Sequence, residues 1–408
     1  MNYNEAYELL KKFNQEHILK YYDELDEAGK NQLLEAVSNT DFTFINDGNE
    51  GADRSGYSSV EPIKVLTVDE IQKDNAKYYE LGSEAIKSGK VGAVLLAGGM
   101  GTRLGITGPK GKFDIGLTRH VYIFQRLIEN LMDVTNDLNV YVHLFVMTSD
   151  KNDEETRAFF REHNYFGYPS EYVHFFVQDL APATDYSGKV YMESKSLPAT
   201  SPNGNGGWYS SMARSGMTDM IRDRGIEYLN CFAVDNVLQR IADPVFIGAC
   251  IADKSPCGAK VISKVSPDEK VGVLCLVDGR PGIVEYYELT DELRDAKDEN
   301  GNYIYNYGVI LNYLFKVSDL NKIQDEKLPV HRVEKKIPYM NEQGEFISPD
   351  EPNGYKFESL ILDMIKMMDG CLGYEVVREK EFAPIKNMTG IDSVESAREL
   401  VKKNGIEL

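Results

Sequence analysis

The stretch Leu95–Leu117, LLAGGMGTRLGITGPKGKFDIGL, decides how this chain is read. It opens inside a short, wholly apolar run, Val91–Ala97 (VGAVLLA), of the kind expected for a central parallel strand covered on both faces. Gly98, Gly99, Gly101 and Gly105 follow in a short loop, where missing side chains let backbone N–H groups come close to a phosphate or a base. Arg103 and Lys110 add fixed positive charge beside those amides, a combination that suits a triphosphate. The competing reading is a glycine-rich strand-to-helix turn with surface charges. The stretch departs from two familiar templates: the spacing is not G-x-G-x-x-G, and no G-K-[ST] follows a four-residue gap as in a P-loop. Neither a dinucleotide dehydrogenase nor a Walker-type NTPase is favoured.

Further apolar runs lie at Val140–Met147, Val173–Val177, Tyr228–Val234 and Gly258–Val265, with helical stretches between several of them, at Val121–Met132 and Asp153–His163. Strands alternating with helices predict an α/β doubly wound sheet, in which ligands bind beyond the carboxyl ends of strands. Ahead of this body, apolar positions between Tyr3 and Val37 recur at helical spacing, and the run 46–59 has a loop's composition. After Asp325 a polar, lysine-bearing segment leads to a predicted helix over Phe357–Met368, a strand over Tyr374–Arg378 and a last helix over Val394–Lys403 that stops at Asn404 and Gly405. The expected division is an N-terminal helical region 1–85, a nucleotide- and sugar-binding catalytic domain 86–330 and a small C-terminal region 331–408, consistent with two or three domains in 408 residues.

A formal net charge of −20 would repel a nucleic-acid backbone, and no long Lys/Arg run offsets it, so nucleic-acid binding is not expected. A small anionic substrate would need a local basic pocket. The five cysteines form no C-x-x-C pair and read as buried thiols rather than a disulfide framework. The opening MNYNEAYELLKKF has no apolar signal core, and no stretch is long and apolar enough for a membrane span, so the expectation is a cytoplasmic chain.

Together, L-x-G-G-x-G-T-R-L-G and the following P-K-G resemble the signature of the eukaryotic-type UDP-sugar pyrophosphorylases, most closely the UDP-N-acetylglucosamine pyrophosphorylases. The resemblance continues in order through FFVQDLAPA (175–183), SPNGNGGWY (201–209), GIEYLNCFAVDNVLQRIADPVFIG (225–248), VGVLCLVDGRPGIVEYYEL (271–289), KKIPYMNEQGEFISPDEPNGYKFE (335–358) and YEVVREKEFAPIKN (374–387). It spans nearly the whole chain. It implies a Rossmann-like, GT-A-like nucleotidyltransferase sheet, mixed in strand direction and flanked by helices.

The resemblance also implies roles. Leu96, Ala97, Gly98, Gly99, Gly101, Thr102, Gln178 and Gly204 would hold the nucleotide, and a Gln amide can both donate to and accept from a pyrimidine edge. Asn205, Gly206 and Glu285 would face the sugar, and Lys386 would reach the phosphates between the substrates. Asp235 follows an apolar run, where its carboxylate would hold a Mg²⁺ that takes the rest of its shell from water and phosphates, or would simply cap a helix. Lys335 and Lys336 either add to the basic pocket or form a solvated face. One departure concerns the sugar: where the family reads N-A-G-N-I-A-N-H, this chain has Asn306–Tyr313 as NYGVILNY, so the family's sugar-contacting asparagine is Val309. The chain ends soon after Lys386, so a C-terminal domain shorter than the eukaryotic one is expected.

The implied reaction joins UTP and a sugar 1-phosphate into a UDP-sugar and pyrophosphate, by in-line attack on the α-phosphorus, with Arg103, Lys110 and Lys386 stabilising charge. N-acetylglucosamine 1-phosphate is the first-choice substrate and glucose or galactose 1-phosphate the alternative. A cytidylyl- or guanylyltransferase of the same fold and a non-catalytic UDP-sugar binding module stay open, and oligomeric state is not read from the sequence.

Overall fold

A computed structural model describes residues 1–47, 57–324 and 326–408. The loop expected over 46–59 therefore lies largely outside the described residues. The chain groups into two units, each drawn from separate stretches: Met1–Asp53, Gln178–Gly207 and Lys327–Ile361 form one, and Arg54–Val177, Trp208–Glu326 and Leu362–Leu408 form the other. These boundaries differ from the linear segments 1–85, 86–330 and 331–408.

The second unit is built on a sheet whose main path uses β1 (Val65–Leu66), β2 (Val91–Leu96), β3 (His143–Thr148), β4 (Val173–Val177), β5 (Tyr228–Ala233), β6 (Cys257–Ser263), β7 (Tyr307–Lys316) and β8 (Leu372–Glu375). Their spatial order is β1-β8-β6-β7-β5-β2-β3-β4. Strands β5, β2, β3 and β4 run parallel, and β7 enters antiparallel between β5 and β6, which makes the sheet mixed. Every residue of β2 is buried, as a strand covered on both faces requires. The covering helices include Ile123–Leu138, whose Phe124, Leu127, Ile128 and Leu131 share one apolar core with Val91, Ala93 and Leu95, and Val394–Lys403, which adds Val394, Ala397 and Val401.

The register matters most for function. Ala233 of β5 pairs with Leu96 of β2, and Val234 N–H donates to the Leu96 carbonyl at 3.2 Å, so the loops after these two strands start side by side.

The first unit has its own core, where Ala6, Leu10, Leu33, Val37 and Phe42 from the helices Tyr3–Lys12 and Glu27–Asn39 and their flanks meet Val190 and Met192. Asn2 and Glu5 form a reciprocal capping box at its first helix, and Asp26 caps the second. The helix expected over Phe357–Met368 is split. Gly354–Glu358 is a strand paired antiparallel with His331–Lys335, and the helix runs only over Ile361–Met367. Likewise the expected strand over Tyr374–Arg378 is β8, after which Arg378–Glu381 turns helical. All five cysteines are free and buried. Among the described residues no helix is long and apolar enough to cross a membrane.

Candidate active site

Ala97 still donates to the Met147 carbonyl at 2.9 Å, so the chain leaves the sheet only at Gly98. The loop then closes on itself: Gly101 N–H donates to the Gly108 carbonyl at 2.9 Å and Lys110 N–H to the Gly99 carbonyl at 3.1 Å. Its glycines have different physical reasons. A Cβ on Gly101 would lie 2.3 Å from Ile106 Cγ1, so packing demands glycine there, whereas a Cβ on Gly99 would meet nothing within 4 Å. Gly99 is exposed, and its bare backbone leaves a ligand room to approach.

A residue that the sequence does not mark holds this loop in place. Asn152, 1% exposed, donates through Nδ2 to the Ala97 carbonyl at 3.0 Å and the Gly99 carbonyl at 3.4 Å, while its Oδ1 accepts from Ser149 N–H at 2.8 Å. In sequence it reads only as a polar residue at the start of the helix Asp153–Glu162.

Lys110 stands over the carboxyl end of β5. Its Nζ lies 3.8 Å from Asp235 Oδ2, longer than a hydrogen bond, with 15% and 25% of the two side chains exposed. Burial, with the charges of Lys386 and Arg103 adding to it, pushes the Lys110 pKa below the ordinary lysine value, against the pull of Asp235. Lys110 and Asp235 thus stand together beyond the adjacent ends of β2 and β5, with the charges of Arg103 and Lys386 near enough to act on Lys110, a local gathering of cations within a strongly negative chain. Asp235 does not cap a helix: none lies between Ala233 and Pro244, and the cap of Pro244–Asp253 is Asp243. Among the described residues no group of three or more His, Cys, Asp or Glu side chains is placed to hold a metal ion.

Lys386 arrives from far along the chain. The segment 381–387 is stitched onto the loop after β5: Ile385 N–H donates to the Asp235 carbonyl at 2.9 Å, Ala383 N–H to Asn236 Oδ1 at 2.9 Å, and Asn236 Nδ2 to the Glu381 carbonyl at 2.7 Å. Lys386 Nζ itself pairs with Asp392 Oδ2 at 3.0 Å.

Glu285 follows the strand Arg280–Val284 and is half-buried. Gly272 lies between it and Val309: its carbonyl accepts Val309 N–H at 2.9 Å, and a Cβ there would sit 3.6 Å from Glu285 Cδ. The chain thereby brings Glu285 and Val309 into one neighbourhood.

Gln178 and the Asn203–Gly207 loop belong to the first unit. Gln178 is buried, directly after β4. The glycines of the loop have packing reasons: at Gly204 (φ +86°) a Cβ would lie 2.2 Å from the Ser359 carbonyl oxygen, and at Gly206 2.7 Å from Leu360 N. Asn205 Oδ1 accepts Ile361 N–H at 3.0 Å at the start of Ile361–Met367, which commits its oxygen and leaves its amide N–H₂. Thr102 and Arg103 are exposed, Leu96 and Ala97 buried. Lys335 and Lys336 are both exposed in the first unit, and Lys336 donates to the Asp350 carbonyl.

The family described as UTP--glucose-1-phosphate uridylyltransferase matches residues 43–406. The UDP-N-acetylglucosamine pyrophosphorylase of Saccharomyces cerevisiae is 36% identical over 408 residues, covering 96% of this chain and 85% of that protein. The UDP-N-acetylhexosamine pyrophosphorylase-like protein 1 of Mus musculus is 34% identical over 401 residues, covering 93% and 79%. Among solved structures, the uridine diphosphate N-acetylglucosamine pyrophosphorylase of Trypanosoma brucei, in complex with an inhibitor, superposes with a TM-score of 0.84 at 29% identity, covering 96% of this chain and 82% of that one. Glycine loop, cation cluster, mixed sheet and these likenesses along nearly the full length agree, and the chain belongs to the UTP–glucose-1-phosphate uridylyltransferase family, that of the UDP-sugar pyrophosphorylases.

Proposed function

We propose that this enzyme transfers the uridylyl group of UTP to N-acetylglucosamine 1-phosphate. A phosphate oxygen of the sugar phosphate attacks the α-phosphorus of UTP, the bond from that phosphorus to the oxygen of the β-phosphate breaks, and pyrophosphate leaves with the electron pair. The observation that carries the reading is the convergence of Arg103, Lys110, Lys386 and Asp235 beyond the adjacent ends of β2 and β5. The sugar phosphate is ionised near neutral pH, so the chemistry needs positioning and charge stabilisation more than a general base.

Within this reading, the amides around Gly98 and Gly99 approach the nucleotide and Gln178 reads the uracil. Lys110 and Arg103 take up charge on the departing pyrophosphate, and Lys386 screens the phosphates of the two substrates from each other. Asp235 would hold Mg²⁺, whose chemistry there is to neutralise phosphate charge. Gly204 belongs to the nucleotide side, Asn205, Gly206 and Glu285 to the sugar side, and the cytoplasm is the proposed location.

A second reading rests on Val309, an apolar side chain near Glu285 that offers the sugar no hydrogen bond and so favours glucose or galactose 1-phosphate. Pyrophosphate release from UTP and Mg²⁺ with the 1-phosphates of N-acetylglucosamine, N-acetylgalactosamine, glucose and galactose separates these readings. Fastest release with N-acetylglucosamine 1-phosphate is the expected result. Silence across the panel, with UDP-sugar binding intact, would favour a binding module instead.

A further inference from the structure

A lysine in the middle of a buried strand needs an explanation, because an unpaired ammonium taken out of water is costly. Lys260 of β6 is 0% exposed. Its Nζ donates to Glu381 Oε2 at 2.6 Å, Asp243 Oδ2 at 3.1 Å and the Arg240 carbonyl at 3.2 Å, which uses all three of its N–H groups. Burial opposes the charge, and the Glu381 and Asp243 carboxylates outweigh it, holding the lysine pKa above its ordinary value.

All three partners sit on the two segments that carry Asp235 and Lys386. Arg240 and Asp243 end the loop that starts at Asp235, and Glu381 opens the segment that leads to Lys386. Glu381 is the hub: its Oε2 also accepts Arg240 N–H at 3.2 Å, and its carbonyl accepts Asn236 Nδ2. From there the hydrogen bonds of Ala383 to Asn236 and of Ile385 to Asp235 complete the stitch. Below the loop, buried Gln239 donates to the carbonyls of Ala233 at 2.7 Å and Asn236 at 2.9 Å, and Asn312 of β7 donates to Gln239 Oε1 at 3.2 Å.

We propose that Lys260 is a positioning residue for uridylyl transfer: by clamping Glu381 against Asp243 and the Arg240 carbonyl, it sets where Lys386 stands relative to Asp235. The inference rests on the function proposed above. Stability alone is a weak reason for such a cluster, since apolar replacements of buried ion pairs are often neutral or stabilising. Geometry is a stronger one, since small misplacement of a charge-stabilising group is expensive in rate.

The test uses the full chain, with Glu381→Gln and Lys260→Met made singly and each combined with Lys386→Ala. Pyrophosphate release and the dissociation constant for UDP are measured alongside the thermal midpoint. In the wild-type background Glu381→Gln should lower kcat by about tenfold to a hundredfold while UDP affinity holds, because the glycine loop is anchored by Asn152 and not by Lys260. In the Lys386→Ala background the same change should cost almost nothing further, since the clamp acts through that lysine. Equal losses in both backgrounds, or an unchanged kcat for Glu381→Gln, would overturn the proposal. If Lys260→Met does not fold, Glu381→Gln, which keeps the side-chain shape, carries the test. Silence of the wild-type chain with every sugar phosphate would overturn the proposed function and the clamp together, whereas wild-type activity with additive losses would overturn the clamp alone.

Discussion

Lys110→Met removes one ammonium from the cation cluster and keeps most of the side-chain volume. A unit charge at the 3.8 Å that separates Lys110 from Asp235 is worth about 4 kcal/mol at an effective dielectric of about 20. Only the part gained as charge develops on the leaving pyrophosphate lowers the barrier, and removing one preorganised donor of this kind typically costs about 10²–10³-fold in kcat, about 3–4 kcal/mol. The expected result in a steady-state pyrophosphate-release assay is therefore a fall in kcat of that size with a much smaller change in KM for UTP. The pH profile adds a second readout. Lys110 acts protonated, so activity is full below its pKa and is lost as pH rises through it; burial lowers that pKa, so the alkaline limb of kcat/KM should begin below the ordinary lysine value of 10.5. Lys110→Arg should move that limb upward. A Lys110→Met enzyme whose kcat stays within about threefold of wild type would refute the assignment, because no transition-state charge could then be resting on this group.

Three further outcomes follow from the geometry. Gly99→Ala should leave the thermal midpoint unchanged yet weaken UTP binding, whereas Gly204→Ala, at φ +86° and 2.2 Å from a carbonyl oxygen, should destabilise the fold; the reverse pattern in thermal melts and UTP titrations would contradict the roles given to the two loops. Asn152→Ala should cost about 1–3 kcal/mol in urea unfolding and raise KM for UTP, because it orphans Ser149 N–H and the Ala97 carbonyl. Burial, with Arg224 and His174, holds the His143 pKa down to about 4 from an ordinary 6.5. Between these values the unfolded chain binds a proton the folded one refuses, so the thermal midpoint should fall as pH drops from about 6.5 to about 4 and level off below; His143→Phe should flatten that slope, and identical slopes would exclude His143 as the source.

Much of this protein was legible in its residues, and the failures have physical causes. Apolar runs of strand length located β2, β4 and β5 closely, and Val394–Lys403 matched its helix because Asn404 and Gly405 are local stop signals. The stretch Phe357–Met368 reads as one helix because its apolar pattern runs on across a strand–helix junction, and only pairing with His331–Lys335 reveals the strand. Asn205 and Gly204 carried a turn's composition, but their tight fit against Ser359–Ile361 depends on a segment distant in sequence. Asn152 and Lys260 carry no signal in the sequence, since a polar residue before a helix and a lysine in a strand look ordinary until their partners are known.

By itself the sequence carried the alternation that builds the sheet and the glycine loop with Arg103 and Lys110, because local sterics and hydrophobic period act over a few residues; Asp235 and Lys386 entered as phosphate-side candidates only through the family resemblance. Only the tertiary structure decided which of them converge. The parallel register of Ala233 on Leu96 brings Asp235 beside the glycine loop, and long-range hydrogen bonds through Asn236, with the buried Lys260–Glu381–Asp243 cluster beneath, carry Lys386 to the same place. Those contacts join residues far apart in the chain, and hydrogen bonds and ion pairs of that kind form only once the fold has excluded water around them.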